Sequence, residues 1–261
     1  MRILFLGDVV AKSGRKKVEE RLPELIRETK CDLAIVNGEN SAHGKGISVK
    51  IYNSLKAAGA DVITLGNHAF SKGEIKMHLD ECPDLVRPAN LEPLDIGKTV
   101  CVKEVCGKKI AVVNILGSVF MDCATDEPIV TMQRLLDKID ADMIFVDLHA
   151  EATSEKELFL RMFSDKCIAI VGTHTHIQTA DEKIYDGCAF ITDVGMCGPY
   201  DSILGRDVEE IIAHNVYKQS TRFTPSESEA MLCGVVIDVD EETCCATSIH
   251  RIQERPNEEN E

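Results

Sequence analysis

Ile3-Leu-Phe-Leu-Gly-Asp8 is a short apolar run that stops on a glycine and hands over to a carboxylate, and the same construction recurs down the chain. LAIVNG, starting at Leu33, leads into Glu39-Asn40, and VITLG, starting at Val62, leads into Asn67-His68. MIFVDL, from Met143, ends on His149, while IAIVGT, from Ile168, ends on His174 with His176 two residues on. Brief β-branched runs of this kind read as strands covered on both faces. The runs at 3–6, 33–36, 62–65, 111–116, 143–146 and 168–171 alternate with amphipathic stretches at 15–29, 48–58, 72–81, 129–139 and 154–162. That alternation predicts β-α units on a largely parallel sheet. Pro23 is expected to kink or split the first helix.

Beyond Gly187 the pattern changes. Segments 189–192, 232–239 and 244–252 predict strands, the last two forming a hairpin that turns at Asp240-Glu241-Glu242. A second, antiparallel sheet packed on the first accommodates them, which makes the fold an α/β sandwich. No internal repeat, Gly/Ser/Pro-rich linker or shift in composition marks a boundary. The expectation is one domain over 1–254 followed by a frayed polar tail, 255–261.

In open α/β sheets ligands gather at the carboxyl ends of strands, so the residues that end these runs are expected to share one rim. Asp8, Glu39, Asn40, Asn67, His149, His174 and His176 supply seven oxygen and nitrogen donors and no thiolate. That exceeds the needs of one tetrahedral zinc and suits two adjacent five- or six-coordinate ions bridged by Glu39, with iron ranked first and manganese or zinc as alternatives. If Gly172–His176 is extended, its two imidazoles point to one side and each serves one metal. Two ions a few ångströms apart polarise a phosphoryl group, the usual apparatus of phosphoester hydrolysis. His68 is not needed as a ligand and is free to face a substrate. His43, His78, His214 and His250 follow no apolar run and read as surface or core residues.

Composition narrows the partners. Among 261 residues, 44 acids against 29 Lys and Arg give a net charge of -15, which disfavours duplex nucleic acid and anionic membranes as partners. No apolar run approaches a membrane span, and Asp8 and Lys12 break the amino terminus too early for a signal peptide, so a cytoplasmic protein is expected. The eleven cysteines lack CxxC spacing and read as reduced, mostly buried thiols. Oligomeric state is left open, and a homo-oligomer is compatible with the composition.

The motifs GDVV at 7–10, NGEN at 37–40, GNHAF at 66–70, VDLHAEATSEK at 146–156 and GTHTH at 172–176 resemble those of the calcineurin-like metallophosphoesterases. More closely they resemble the bacterial YmdB-type branch, described as 2',3'-cyclic-nucleotide phosphodiesterases. The similarity continues through DVGMCGPYDSILG at 193–205 and covers nearly the whole chain. It implies a calcineurin-like α/β sandwich of two mixed sheets flanked by helices. One metal would be held by Asp8, Glu39, Asn40 and His176, and the other by Glu39, Asn67, His149 and His174. The implied activity is hydrolysis of 2',3'-cyclic nucleotides or related small phosphodiesters with a metal-bound hydroxide as nucleophile. His68 would neutralise the transition-state oxyanion or protonate the leaving alkoxide.

Departures from the family bear on substrate choice. Val10 stands where the wider superfamily has a histidine, and Glu39-Asn40 where it has a bridging aspartate, both marks of this branch. Phe70-Ser71 replaces a common Trp and acid, and Ser118 a common Arg. Phe70 and Tyr200 are candidates to contact the substrate, Phe70 by stacking on a base. The 72–81 helix is a candidate cap. Competing readings are a phosphomonoesterase and a regulatory or interaction protein whose metal centre is structural or sensing. A GDS-type serine esterase is disfavoured because Val9 occupies the nucleophile's place.

Overall fold

The structure, a computed structural model, describes residues 1–121 and 123–256. Two mixed sheets form its centre. The first runs β2 (Asp8–Val9), β12 (Met196–Pro199), β13 (Ala230–Asp240), β1 (Arg2–Leu6), β3 (Leu33–Asn37), β4 (Val62–Thr64) and β5 (Leu85–Val86), with β14 (Cys245–Glu254) paired to β13. The second runs β10 (Lys183–Tyr185), β11 (Cys188–Ile191), β9 (Ala169–Thr173), β8 (Met143–His149), β7 (Lys108–Leu116) and β6 (Val100–Val105).

The partition differs from the sequence expectation. The parallel runs are divided between both sheets: β1, β3, β4 and β5 are parallel in one, and β7, β8, β9 and β11 in the other. The carboxy-terminal hairpin builds no separate antiparallel sheet but pairs β13 antiparallel with β1, Phe5 opposite Val235. An apolar run carries its own period and no record of its neighbour, so pairing partners are not legible in it.

Alternation along each strand divides the core in two. Ile3, Phe5, Leu33, Ile35 and Val62 point inward against Ile110, Val112, Phe145, Val171 and Ile191 of the facing sheet. Leu4, Leu6, Val36, Val113 and Val146 point outward, into the cluster that takes in the apolar stripes of the helices. Helix α1 (Ala11–Thr29) starts earlier than expected and continues through Pro23 without splitting. Helix α2 (Val49–Ala57) is capped by Ser48, whose hydroxyl accepts the Ile51 N–H at 3.4 Å. The 72–81 segment is not one helix: α3 (Glu74–Met77) is a single turn, the chain breaks at His78, and a 3₁₀ turn covers Leu79–Glu81. Ile75 is the one residue of α3 that is buried, too small an apolar anchor to propagate a longer helix. Helices α4 (Pro128–Leu136) and α5 (Thr153–Phe163) stand near their expected positions. Helix α6 (Val208–Asn215) has no counterpart in the sequence reading: its apolar positions, Val208, Ile211 and Ile212, span little more than one turn and are only half-buried.

Cys82, Cys101, Cys167, Cys188, Cys197 and Cys233 are buried. No helix among the described residues is long and apolar enough to cross a membrane. Of the tail expected over 255–261, residues from 257 on lie outside the described residues.

Phe5 and Phe145 meet across the sheets with ring centroids 5.5 Å apart. Phe145→Ala removes that contact and leaves a cavity in the layer beneath the strand ends. Urea denaturation is expected to register a loss of about 3–5 kcal/mol; a loss below about 1 kcal/mol would mean that the sheets close up around the gap.

Candidate metal centre

The inward faces of the strands change character toward their carboxyl ends. On β8 the inward side chains are Phe145, Asp147 and His149, and the next inward positions after Ile35 and Val62 are Asn37 and Thr64. Just beyond, the chain delivers Glu39 after β3, Asn67 after β4 and His174 after β9. His149 Nε2 lies 3.0 Å from His174 Nδ1, 3.1 Å from Asn67 Oδ1 and 3.2 Å from Glu39 Oε1. Ligand atoms of Glu39, His149 and His174 all fall within 4.8 Å of one another. Asp8, fully buried at the start of β2, accepts the His174 backbone N–H on Oδ2 at 3.2 Å, and its Oδ1 is buried with no hydrogen-bond partner. A second pair stands where Asn40 Oδ1 meets His176 Nε2 at 3.2 Å.

The far nitrogen of each imidazole is engaged. His149 Nδ1 meets Thr173 Oγ1 at 2.9 Å, His174 Nε2 meets Glu151 Oε2 at 3.1 Å, and His176 Nδ1 donates to the Leu204 carbonyl at 3.1 Å. The Asn40 amide donates through Nδ2 to the Gly44 carbonyl at 3.2 Å, leaving its oxygen turned to His176. A cation that displaces the His149 proton would therefore find the lone pairs converging, and with the orphaned Asp8 oxygen this donor set fits cation binding.

The 172–176 segment is not extended. Strand β9 ends at Thr173, and His174 and His176 have positive φ, 101° and 66°. The imidazoles diverge, one toward His149 and the other toward Asn40. A fully buried ion pair holds the turn: Lys156 Nζ donates to the Thr173 carbonyl and to Asp193 Oδ2, both at 3.0 Å, and that oxygen also accepts the Thr175 N–H at 3.0 Å.

Charge within the group is unevenly shared. Burial disfavours an ionised Glu39, but His149 outweighs it and holds the carboxyl well below its usual range. Burial likewise opposes charge on His149, yet Glu39 and Asp8 raise it to about 9. Burial, then the adjacent His149, lowers His174 to about 3, and burial raises Asp8. One proton on His149 thus occupies the middle of the cluster when no cation is present.

His68 stands beside these residues, its backbone N–H donating to Glu39 Oε2 at 3.0 Å. Burial lowers its pKa, and the charges of Lys45 and Arg206 act in the same direction. Phe70 packs against the helix-side core with Lys76 Nζ 5.0 Å from its ring centroid. Tyr200 follows β12, 37% exposed, with the Arg255 guanidinium 5.9 Å from its ring. Ser118 is tied to Glu155, its N–H donating to Oε1 at 2.9 Å, while its hydroxyl stands between Glu155 Oε1 at 2.9 Å and Glu127 Oε2 at 2.7 Å. The sequence reading misses Asp147, Thr173, Glu151, Lys156 and Asp193, all of which support the ligand-type residues. The signal available for Asp147 is a carboxylate inside an otherwise apolar run, MIFVDL.

Residues 4–252 match the family described as YmdB-like protein. The chain belongs to the YmdB-like family. It is 48% identical over 256 residues to a Bacillus subtilis protein named 2',3'-cyclic-nucleotide 2'-phosphodiesterase, covering 97% of this chain and 96% of that one. The crystal structure of a protein described as a novel phosphatase from Mycoplasma pneumoniae superposes with a TM-score of 0.93 at 39% identity, covering 97% and 93% of the two chains. A Thermus thermophilus structure, described as a hypothetical protein, gives 0.91 at 36% identity, covering 97% and 99%. Position 66 has no room for a side chain: a Cβ there would stand 2.2 Å from Glu39 Oε2 and 2.5 Å from His149 Nε2.

Gly66→Ala is therefore expected to displace Glu39 and His149 and to cut bound metal to less than half of wild type, with the far-ultraviolet circular dichroism unchanged; elemental analysis at full occupancy would contradict it. A cation entering the cluster must also displace the His149 proton. Because that pKa is raised to about 9, affinity should climb with pH up to that value, by roughly tenfold per unit, with release of a proton on binding. Zinc titrations by calorimetry in two buffers of different ionisation enthalpy measure the release, and identical heats would refute it.

Proposed function

We propose that this protein is a phosphodiesterase that uses two transition-metal ions to open 2',3'-cyclic nucleotides or related small phosphodiesters. The observation that carries the reading is the meeting of His149 Nε2 with Glu39, Asn67 and His174 beside the orphaned Asp8 oxygen, with Asn40 and His176 as a second pair. Asp8, Glu39, Asn40 and His176 would hold one ion, and Glu39, Asn67, His149 and His174 the other. Iron is the first candidate, manganese and zinc the alternatives. When bound, such a pair polarises the phosphoryl group and supplies a nucleophile at neutral pH. The named activity of the Bacillus subtilis relative supports the diester class.

The chain's own residues account for the remaining roles. Glu39 faces His149 through Oε1 and receives the His68 N–H on Oε2, so it fixes the start of the His68 turn as well as its own place at the centre. With its pKa lowered, the His68 imidazole is mainly neutral near pH 7 and serves better as a hydrogen-bond donor to a developing oxyanion than as a proton source. Tyr200, the more exposed of the two candidate aromatics, and Phe70 are the surfaces against which a base could rest.

A substrate screen of metal-replete protein tests this, comparing cyclic nucleotides, generic diesters and monoesters; turnover of monoesters alone would make it a phosphatase, and turnover of none would favour a sensing or structural centre. His68→Asn is expected to retain metal and lose roughly 10²-fold in turnover, equally on nitrophenyl and nucleotide esters. Restored rate on nitrophenyl esters would instead make His68 the proton donor. Glu39→Gln should lose both metal and turnover, and full metal content in that variant would remove Glu39 from the shared position.

A further inference from the structure

Asp147 carries a fully buried carboxylate, and its described hydrogen-bond partners are neutral donors. Asn37 Nδ2 and Thr64 Oγ1 donate to Oδ2 at 2.9 and 2.5 Å, and Thr173 Oγ1 donates to Oδ1 at 2.7 Å. The Asn37 amide cannot be reversed, because its Oδ1 accepts the Glu39 N–H at 3.0 Å. A threonine hydroxyl has one proton. With that proton committed to Asp147, Thr173 Oγ1 can only accept from His149 Nδ1, 2.9 Å away. The neutral imidazole, the form that binds a cation, is thereby set with its hydrogen on Nδ1 and its lone pair on Nε2, the atom that meets Glu39, Asn67 and His174.

We propose that Asp147, acting through Thr173, is a positioning residue that fixes the His149 tautomer and so makes Nε2 a metal ligand. This rests on reading the cluster as a metal centre, and it assigns a role to residues beyond the expected ligands. Partners on the far side of a ligating imidazole orient it and raise its basicity, and their loss weakens metal binding by about 10–100-fold.

Asp147→Asn reverses the chain of donors without changing its shape. The two donors at Oδ2 require the amide oxygen there, which turns the amide NH2 toward Thr173 and the Thr173 proton toward His149 Nδ1. Nε2 must then carry the imidazole proton. Zinc, measured by chelator competition on the full chain, is expected to bind about 10–100-fold more weakly at one site. In nitrogen-15 spectra of the zinc-loaded protein, the slowly exchanging His149 Nδ1–H resonance of wild type should disappear. Thr173→Val should do the same, and Thr173→Ser should restore both signals. If Asp147→Asn does not fold, the Thr173 pair decides the matter, because valine matches threonine in size.

Wild-type zinc affinity and an intact Nδ1–H resonance in Asp147→Asn or Thr173→Val would overturn the proposal, even with a lowered Tm, and leave Asp147 as a structural tie between sheets. Failure of wild type to bind zinc would overturn it together with the metal reading. Both readouts are taken without substrate, so absence of phosphodiesterase turnover leaves the outcome unaffected.

Discussion

A carboxylate placed between two sheets is the constraint around which the catalytic end of this fold is arranged. Asp147 projects from the second sheet and is bonded by Asn37 and Thr64 of the first and by Thr173 of its own. Burial raises its pKa to about 6, against which these hydrogen bonds and the nearby His149 act. An unpaired buried carboxylate costs several kcal/mol, so the two sheets must keep the register that brings those donors to it. Each inward face then passes through three levels with the two-residue period of a strand: apolar packing at Phe5 and Phe145, a hydrogen-bonded polar layer of Asp147 with Asn37, Thr64 and Thr173, and the ligand-type residues above. The polar layer orients the cluster above it, Thr173 meeting His149 Nδ1 and Asn37 Oδ1 accepting the Glu39 N–H.

That layering explains which features could be read in advance. Strand positions and the residues that end them depend on local period and turn chemistry, so Asp8, Glu39, Asn67, His149 and His174 were recognisable as a set that meets at one rim. Sheet membership depends on pairing across long separations, and the division of the parallel strands between two sheets left no trace in the runs themselves. The apolar stripe of helix α6, Val208, Ile211 and Ile212, is too short to stand out, and the 72–81 periodicity belonged to a turn too lightly anchored to propagate. Thr173 and Asn37 look like ordinary strand residues, and their roles arise only once Asp147 stands between them.

The GTHTH turn depends on a different balance. Two non-glycine residues with positive φ carry a conformational cost of about 1–3 kcal/mol each, which the surroundings must offset. Lys156 and Asp193 supply the restraint, with both side chains fully buried and each bonded to the backbone of the turn. A buried ion pair by itself contributes little net stability, since desolvation opposes the attraction. Its value here is conformational. An extended segment would point both imidazoles to one side, whereas the restrained turn sends His174 to His149 and His176 to Asn40, so that neighbours in sequence can serve separate ions.

The acidic exterior and a phosphate substrate are reconciled by the same geometry. On the proposed reading, two divalent ions bring four positive charges, and Asp8 and Glu39 return two negative ones, for a local net of +2. Asn40, Asn67 and the three imidazoles add none, provided each imidazole binds as the neutral form. A protonated imidazole would forfeit its lone pair, which is why engagement of every far nitrogen matters to charge as well as to orientation. Lys45 and Arg206, close enough to depress His68, extend the positive potential toward the substrate side. On that reading a small anion approaching the cluster meets a concentrated positive field, while a long polyanion must also approach a chain whose total charge is -15. On the same reading a compact phosphodiester answers to the local field alone, whereas a duplex nucleic acid also answers to the net negative charge of the whole chain.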